Sequence, residues 1–286
     1  MKIVILGAGF LGKTLYNYFK NRYEVIAADK SPVDSYIVKL DASDEKELKY
    51  FLYKHEPDVI INTIALSSYY LCEMNKELCS KINYEIACTI SKISNEIKSK
   101  LIFISSSYVF NGDKGNYSEL DVPDSNTAYA KSKILAEHFI LQYSNTLVLR
   151  IEPMFGFDRT FNKIRIGTNT FQSKMKIAYP NLIRSPVLVD DVPRIINELI
   201  LKKQNGVFNV ASNIQLNWLQ FLRQLATLEQ AENQIEIVSS KDWILIPPHN
   251  TSLNIDKLLN LNLTITSFSK SLELLRSLSS LNQPRY

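Results

Sequence analysis

Short apolar runs alternate with amphipathic stretches through the first half of the chain. A continuous apolar run of four to six residues is typical of a strand covered on both faces, whereas apolar spacings of three and four are typical of a helix. The predicted strands are Ile3–Leu6, Glu24–Ala28, Val59–Ile64, Leu101–Ser105 and Thr146–Ile151. The predicted helices are Phe10–Lys20, Glu45–His55, Asn83–Ile97 and Ala128–Gln142. This alternation predicts right-handed crossovers and an α/β doubly wound parallel sheet.

The second half of the chain is less regular. Phe157–Thr170 is polar and mixed, which predicts a loop-rich lobe. Pro186–Val189 and Val207–Ala211 predict short returns to the sheet. Trp218–Leu228 and Ile255–Leu261 predict small helices in this lobe.

The turn after the first predicted strand carries the spacing Gly7-x-Gly9-x-x-Gly12. Gly7 permits a tight turn, Gly9 lets the backbone approach a pyrophosphate, and Gly12 lets the helix pack closely on the strand. Asp29 follows the next strand, where a carboxylate accepts hydrogen bonds from a ribose 2′-hydroxyl and repels a 2′-phosphate, a repulsion that Lys30 partly offsets. The pattern predicts a dinucleotide site in a Rossmann-type fold. The alternative is a glycine-rich turn without a ligand.

These patterns together predict the domain organisation. We expect a dinucleotide-binding Rossmann domain over 1–153, with returns to its sheet near 186–212. The segments 154–185 and 213–286 are expected to form a smaller C-terminal substrate-binding lobe.

Composition narrows the classes of partner. The 286 residues carry a net charge of +4, with 33 basic and 29 acidic residues scattered along the chain, so we expect no nucleic-acid partner. Cys72, Cys79 and Cys88 lack metal-site spacing, and the three histidines are far apart, so we expect no metal. Because no apolar stretch reaches the roughly 18–20 residues that span a bilayer, we expect no membrane contact and a cytoplasmic protein with reduced thiols.

A tyrosine and a lysine four residues apart on a helix lie on one face, where the ammonium favours phenolate and lowers the tyrosine pKa from about 10. Such a tyrosine can donate a proton to a carbonyl oxygen as hydride arrives. The spacing occurs at Tyr16/Lys20, Tyr50/Lys54 and Tyr129/Lys133. The place of Tyr129 along the chain favours it as the catalytic tyrosine. It follows a central strand by one loop and is therefore expected near the carboxyl ends of the strands, where open α/β sheets bind ligands. The alternative for each is a surface or packing pair.

Ser105, Ser106 and Ser107 end the strand before that helix. A hydroxyl at this place can hydrogen-bond a substrate carbonyl and polarise it. The alternative is a serine-rich strand terminus that satisfies its own backbone.

Motifs in a fixed order extend over nearly the whole chain. They are GAGFLG (7–12), Asp41-Ala-Ser-Asp44, PDVIINTIALS (57–67), Glu73, Asn83, LIFISSSYVFNG (101–112), YAKSKILAE (129–137), Arg150 with Phe155-Gly156, RSPVLVDDV (184–192), GVFNVAS (206–212) and Pro248 with Leu253. In order and spacing they resemble the extended short-chain dehydrogenase/reductase superfamily, in particular the dTDP-4-dehydrorhamnose reductases and related sugar-nucleotide reductases.

The resemblance implies that Tyr129 is the general acid, that Lys133 holds the nicotinamide ribose and tunes Tyr129, and that Ser106 matches the family's catalytic threonine or serine. The implied cofactor is NADPH or NADH. Together with the glycine motif, the resemblance gives as cofactor-binding residues Gly7, Gly9, Phe10, Leu11, Gly12, Asp29, Lys30, Asp41, Ala42, Thr63, Ile64, Ala65, Tyr129 and Lys133. The expected substrate-binding residues are Ser67, Ser106, Ser107, Tyr129, Pro153 and Arg184.

The chain departs from the family's pattern in the expected sugar pocket. Ser107 replaces the usual aspartate, Pro153 stands where tryptophan is expected, and Pro247 stands where an arginine is common. The segment 66–70 also differs from the family's usual run. These changes leave the hydride machinery intact and the particular sugar undefined.

The function implied is NAD(P)H-dependent reduction of the 4-keto group of a nucleotide-linked 6-deoxyhexose. One alternative is a nucleotide-sugar epimerase or dehydratase that keeps its NAD bound. Another, based on the RIEPMFG and RSPVLVDDV segments, is a non-catalytic regulatory subunit resembling the β subunit of methionine adenosyltransferase. The nucleotide and the oligomeric state stay open, with a homodimer among the alternatives.

Overall fold

The computed structural model describes residues 1–167, 169–171, 174–177, 179–242 and 246–281. The chain divides into two units. The first consists of Met1–Val109, Pro123–Arg150 and Val192–Phe208. The second consists of Phe110–Val122, Ile151–Asp191 and the described residues from Asn209 onward. The hydrophobic pattern does not predict that Phe110–Val122 groups with the second unit.

The strands in chain order are β1 (Lys2–Leu6), β2 (Glu24–Asp29), β3 (Ile37–Lys39), β4 (Val59–Asn62), β5 (Lys100–Ser106), β6 (Thr146–Ile151), β7 (Met154–Asp158), β8 (Lys163–Ile166), β9 (Asn169–Thr170), β10 (Met175–Ile177), β11 (Ile183–Arg184), β12 (Val187–Leu188), β13 (Gly206–Val210), β14 (Leu216–Asn217) and β15 (Ile235–Ile237). The α-helices are α1 (Phe10–Phe19), α2 (Glu45–His55), α3 (Tyr69–Met74), α4 (Lys76–Ser80), α5 (Ile86–Glu96), α6 (Ala128–Ile140), α7 (Asp191–Leu201), α8 (Trp218–Leu228), α9 (Asp256–Leu259) and α10 (Phe268–Leu281). A π-helical turn, Lys81–Glu85, joins α4 to α5.

A seven-stranded parallel sheet of the Rossmann type forms the centre of the first unit, in the order β13-β6-β5-β4-β1-β2-β3. This confirms the predicted fold class. The central strands are buried on both faces: Val4 and Ile60 belong to the core under α2, α5 and α6, while Ile3 and Ile5, which point to the other face, are also completely buried. Continuous apolar runs form such strands because both faces lose contact with water.

Local signals set the helix ends. Asp44 caps α2 by accepting hydrogen bonds from the backbone N–H groups of Lys46 and Glu47, at 2.9 and 3.1 Å. Thr127 caps α6 in the same way through Ala130, at 3.2 Å. Such caps satisfy N–H groups that have no partner within the helix. The cap at Thr127 fixes where α6 starts, one residue before Tyr129.

The second unit contains short strands in separate small sheets. The largest has the order β12-β7-β8-β9, and β10 pairs with β15 and β11 with β14. Its core is rich in aromatic rings, with Phe155 and Phe221 in edge-to-face contact at 5.1 Å between centroids. Aromatic residues bury large areas, so a few of them can hold short strands together.

Several predictions for this half of the chain are wrong. Phe157–Thr170, predicted to belong to a loop-rich lobe, contributes to the antiparallel strands β7, β8 and β9. Pro186–Val189, predicted to return to the main sheet, contains β12, which pairs with β7. The pattern missed these elements because strands of two to five residues carry too little periodicity to be recognised. It also missed α7 and α10 in this half, and β3, α3 and α4 in the first half of the chain.

The helices of the described ranges are all too short or too polar to cross a lipid bilayer.

Candidate active site

Four neighbouring strands of the main sheet end at one edge, and much of the predicted site follows them. β5, β4, β1 and β2 are parallel neighbours, so their carboxyl ends lie side by side. Ser106 ends β5, Thr63 follows β4, Gly7 follows β1 and Asp29 ends β2. The strand order reverses between β1 and β4, and open α/β sheets bind ligands at the carboxyl ends of strands at such a reversal.

The glycine loop between β1 and α1 has the geometry of an anion cradle. Gly7 has a φ of +92°, in the left-handed region that favours glycine, and a Cβ on Gly12 would lie 2.0 Å from the carbonyl oxygen of Gly7. At Gly9 a Cβ would meet no heavy atom of the described residues within 4 Å. The backbone at the start of α1 is therefore open to a close approach, and a helix N-terminus favours phosphate. This loop fits the pyrophosphate of a dinucleotide.

Asp29 connects the end of β2 to this loop. Its Oδ2 accepts a hydrogen bond from the backbone N–H of Ala8 at 2.7 Å, and its Oδ1 accepts one from Ser31 at 2.9 Å. The carboxylate therefore holds the glycine loop in place. Each oxygen has a second lone pair, so a ribose contact stays a prediction compatible with this geometry.

Lys30 and Asp41 form an ion pair with Nζ and Oδ2 2.8 Å apart. Asp41 also accepts hydrogen bonds from the backbone N–H and the hydroxyl of Ser43, at 3.0 and 2.6 Å. The hydrogen bond from Lys30, followed by those from Ser43, lowers the pKa of Asp41 to about 2. The charge of Lys30 thus has a protein partner. The side chain of Ala42 lies in the core beneath the sheet.

Thr63 connects the ends of β1 and β4. Its backbone N–H donates to Leu6 O at 2.9 Å, and its hydroxyl donates to Gly7 O at 2.7 Å. The N–H of Ile64 donates to Asn62 Oδ1 at 3.0 Å. Further along this segment Ala65 and Ser67 are exposed.

The structure brings Ser106 and Tyr129 together. Their side chains interact, and Ser106 Oγ accepts the backbone N–H of Tyr108 at 3.2 Å. Burial raises the pKa of Tyr129 to about 12, and the interaction with the Ser106 hydroxyl opposes that rise. This direction is opposite to the one that the Tyr-x-x-x-Lys spacing predicts, because the loss of hydration outweighs neighbouring charge.

Lys133 lies one helical turn after Tyr129 and is 2% exposed. Its Nζ donates a hydrogen bond to Ile104 O at 2.9 Å and lies 4.6 Å from the centre of the Phe103 ring. Burial lowers the pKa of Lys133 to about 8, and the negative charge of Glu137 opposes that shift. An ammonium with this pKa is mostly charged at neutral pH.

The next residue on the same face of α6 is Glu137, to which the sequence interpretation gave no role. It forms a buried ion pair with Arg150, with 2.8 Å between Oε2 and Nη2. It also accepts a hydrogen bond from the hydroxyl of Ser105. The repeated spacing of four from Tyr129 was the signal that could have identified it.

Asn83 lies in the π-helical turn and connects several segments near Tyr129. Its Oδ1 accepts from Leu66 N at 2.8 Å, and its Nδ2 donates to Ser132 Oγ at 3.1 Å and to Cys79 Sγ at 3.4 Å. The Ser132 hydroxyl in turn donates to Tyr129 O at 2.7 Å. Such wide helical turns frequently occur at functional sites. Asn83 was part of the resemblance without an assigned role.

Aromatic rings line up beside Tyr129. The ring centroids of Tyr108 and Tyr129 are 6.5 Å apart in an edge-to-face arrangement, and those of Tyr69 and Tyr108 are 6.1 Å apart. Burial raises the pKa of Tyr69, so its hydroxyl stays protonated. Ser107, a predicted substrate contact, is completely buried in the 3₁₀ turn Ser107–Val109.

The other predicted substrate contacts belong to the second unit. Arg184 is 1% exposed, and its Nη2 donates to Pro248 O at 2.8 Å while its Nη1 donates to His249 O at 3.0 Å. These bonds hold two chain segments of this unit together. Pro153 is partly exposed and accepts a hydrogen bond from Val187 N at 3.1 Å. Their contact with substrate stays a prediction.

The first unit therefore combines a glycine loop that fits a phosphate with the neighbouring hydroxyls of Ser106 and Tyr129 and a buried ammonium. A proton held on Tyr129 can be donated to a substrate oxygen, and Ser106 is close enough to share that oxygen. The arrangement is suited to proton-coupled chemistry at a carbonyl or carbinol carbon.

Comparison with known proteins identifies a family and several relatives. Residues 1–276 match the family described as RmlD substrate binding domain. The spore coat polysaccharide biosynthesis protein SpsK of Bacillus subtilis is 26% identical over 255 residues, which cover 85% of this chain and 84% of that protein. Methionine adenosyltransferase 2 subunit beta of Bos taurus is 25% identical over 227 residues, which cover 75% of this chain and 68% of that protein.

Solved structures show the same architecture. A hypothetical dTDP-4-dehydrorhamnose reductase from Sulfolobus tokodaii is 29% identical, with a TM-score of 0.78 over 91% of this chain and 94% of that one. The dTDP-4-dehydrorhamnose reductase of Bacillus anthracis, in complex with NADP, is 23% identical, with a TM-score of 0.82 over 96% of this chain and 98% of that one. The second likeness establishes the fold alone.

Proposed function

Because the chain belongs to the RmlD substrate-binding domain family, we propose that it is an NAD(P)H-dependent reductase of the 4-keto group of a nucleotide-linked 6-deoxyhexose. The observation that carries this proposal is the interaction between the side chains of Ser106 and Tyr129 at the carboxyl edge of the sheet. The glycine loop follows β1 at the same edge. The S. tokodaii relative, a hypothetical dTDP-4-dehydrorhamnose reductase, supports the choice of substrate class.

In this proposal Tyr129 is the general acid. Its pKa of about 12 keeps the hydroxyl protonated at neutral pH, which is the form that a proton donor needs. Ser106 hydrogen-bonds the substrate carbonyl oxygen and polarises it. Lys133 holds the nicotinamide ribose and supplies positive charge near the phenolate that forms. NAD(P)H, when bound, supplies the hydride.

The glycine loop and the start of α1 hold the pyrophosphate, and Asp29 approaches the adenosine ribose. Because Asp29 is negative and the Lys30 ammonium is paired with Asp41, neither NADH nor NADPH is strongly favoured. We expect the KM values for the two coenzymes to differ by less than a hundredfold (about 2.7 kcal/mol). A larger preference for NADPH would contradict this role of Asp29.

The decisive test is NADPH oxidation against a panel of nucleotide-activated 4-ketosugars, with mass spectrometry of the products. We expect one mole of coenzyme consumed per mole of sugar and a product two mass units heavier than the substrate. An epimerase would convert sugars without net consumption of coenzyme. A dehydratase would release water, and the sequence Ser106-Ser107-Tyr108 lacks the acid pair expected beside its catalytic serine. Either outcome would replace the reductase proposal.

A second candidate is a regulatory, non-catalytic subunit. The 25% identity to methionine adenosyltransferase 2 subunit beta favours it, while the retained Ser106, Tyr129 and Lys133 favour chemistry. Copurification with a larger synthetase, together with no turnover of any ketosugar, would support the regulatory function. Turnover of a ketosugar without such a partner would exclude it.

A further inference from the structure

Strand β5 and helix α6 meet in a regular register. Tyr129, Lys133 and Glu137 are four residues apart and lie on one face of α6. Each has a partner in the last three residues of β5: Tyr129 the side chain of Ser106, Lys133 the carbonyl of Ile104, and Glu137 the hydroxyl of Ser105. Glu137 is therefore the third contact of the same strand–helix pair that holds the proposed proton donor.

The carboxylate of Glu137 is held from two sides. Arg150 Nε donates to Oε1 and Oε2 at 3.2 and 3.1 Å, Arg150 Nη2 donates to Oε2 at 2.8 Å, and Ser105 donates to Oε1. Glu137 and Arg150 are 3% and 4% exposed. A buried ion pair is weak evidence for stability, because desolvation offsets most of the attraction. A buried, fully engaged carboxylate one turn from Lys133 therefore calls for another role.

We propose that Glu137 is a positioning residue, whose carboxylate, fixed by Arg150 and Ser105, keeps the ammonium of Lys133 charged and in place beside Tyr129. The inference rests on the proposed function for its catalytic consequence. The effect of the Glu137 charge on Lys133 is a property of the free protein and can be measured without substrate.

The other groups around Lys133 cannot replace Glu137. Cys72 and Cys79 face it from α3 and α4, and burial raises the pKa of the Cys72 thiol, which keeps that thiol neutral. From β5 it meets the Phe103 ring and the Ile104 carbonyl, which carry only partial charge. Among these groups Glu137 is the carboxylate, and it is ion-paired with Arg150.

The test is the titration of Lys133 followed by NMR in protein labelled at lysine Cε, with the resonance assigned from Lys133→Met. The test variants are Glu137→Gln and Glu137→Gln/Arg150→Met. The double variant avoids an unpaired buried guanidinium, which would itself destabilise the fold. The matched control is Asp158→Asn, which removes another buried carboxylate that is paired with an arginine. Asp158 Oδ2 lies 2.8 Å from Arg165 Nη1 in the second unit.

Without the Glu137 charge we expect the Lys133 titration midpoint to fall by about one pH unit. The midpoint in Asp158→Asn should stay at the wild-type value. A wild-type midpoint in the folded double variant would overturn the role of Glu137, and so would an equal fall in the control. If the single variant fails to fold, the double variant decides.

Kinetics separates this inference from the proposed function. If ketosugars are reduced, the falling limb of the pH profile of kcat/KM should move with the NMR midpoint in the Glu137 variants. If a ketosugar is reduced and the Lys133 midpoint is unmoved in those variants, only the inference falls. If no ketosugar is reduced but the midpoint moves, only the proposed function falls.

Discussion

The two units of the chain are built on different scales of regularity. In the first, strands such as Val59–Asn62 and Thr146–Ile151 are buried at every position and pair in parallel in one seven-stranded sheet. In the second, strands as short as Ile183–Arg184 and Val187–Leu188 belong to separate small sheets around an aromatic core. The long parallel strands bring their carboxyl ends to one edge, and the candidate catalytic groups lie there. Among the described residues of the second unit, the short strands form no such common edge.

The largest effect on activity is expected at Tyr129, in the first unit. Tyr129→Phe removes the proton donor and should lower turnover by roughly 10²–10⁴-fold, while the coenzyme still binds. Tyr50→Phe is the matched control, because Tyr50 has the same spacing to a lysine but is 68% exposed. Steady-state kinetics and coenzyme titration measure both. Equal turnover in wild type and Tyr129→Phe would remove Tyr129 from the mechanism.

The aromatic core of the second unit should contribute to the stability of the fold and not to coenzyme binding. Phe221 is 1% exposed and contacts Phe155 and Trp218, so Phe221→Ala should lower the free energy of unfolding by about 3–5 kcal/mol. Phe161→Ala, at a position 55% exposed, should change it by less than about 0.5 kcal/mol. Denaturant titration gives both values. NADPH affinity of the folded Phe221→Ala protein should equal that of wild type, and a large loss would contradict this separation of roles.

Within the first unit, substitutions at two glycines distinguish a role in packing from a role in coenzyme binding. Gly12→Ala places a methyl group against the Gly7 carbonyl and should cost about 1–3 kcal/mol of stability. Gly9→Ala meets open space, so stability should change by less than about 0.5 kcal/mol, whereas NADPH affinity should fall. Denaturation and fluorescence titration with NADPH distinguish the two. Undiminished affinity in Gly9→Ala would argue against the pyrophosphate site.

The smallest effect is expected from pH. Lys133 has a pKa lowered to about 8, so its ammonium is charged below that pH and neutral above it. For reduction, kcat/KM should therefore fall as the pH rises through about 8, by up to about tenfold per pH unit. Tyr129, with its pKa near 12, stays protonated over this range and adds no second limb. A profile that stays flat to pH 9.5 would contradict a role for the Lys133 charge.

Regular elements could be predicted because their signal is local. Glu45–His55 and Thr146–Ile151 have the predicted bounds, since periodicity and caps lie within each segment. β11 and β12 could not be predicted, because their pairing depends on residues distant in sequence. The close approach of Ser106 and Tyr129 followed from topology. The pKa of Tyr129 did not, because four-residue spacing carries no information about burial.

The partner of Glu137 illustrates the same limit. The helical spacing from Tyr129 to Glu137 is visible in the sequence, but the contact with Arg150 on β6 requires α6 and the sheet to be packed. Arg184 is the converse case. The family resemblance predicts that Arg184 contacts substrate. In the structure its guanidinium donates hydrogen bonds to backbone carbonyls.

The wide turn at Lys81–Glu85 sets the rotational phase between the two halves of one continuous rod, α4 and α5. An ordinary α-helix advances about 100° per residue, so winding the same residues as a regular α-helix, without the wide turn, would rotate α4 by about that angle relative to α5. Cys79, whose thiol now meets Ser132, would then face elsewhere. By taking up one extra residue, the wide turn lets α5 present the correct side to the main sheet while α4 presents its own to the helix that carries Tyr129.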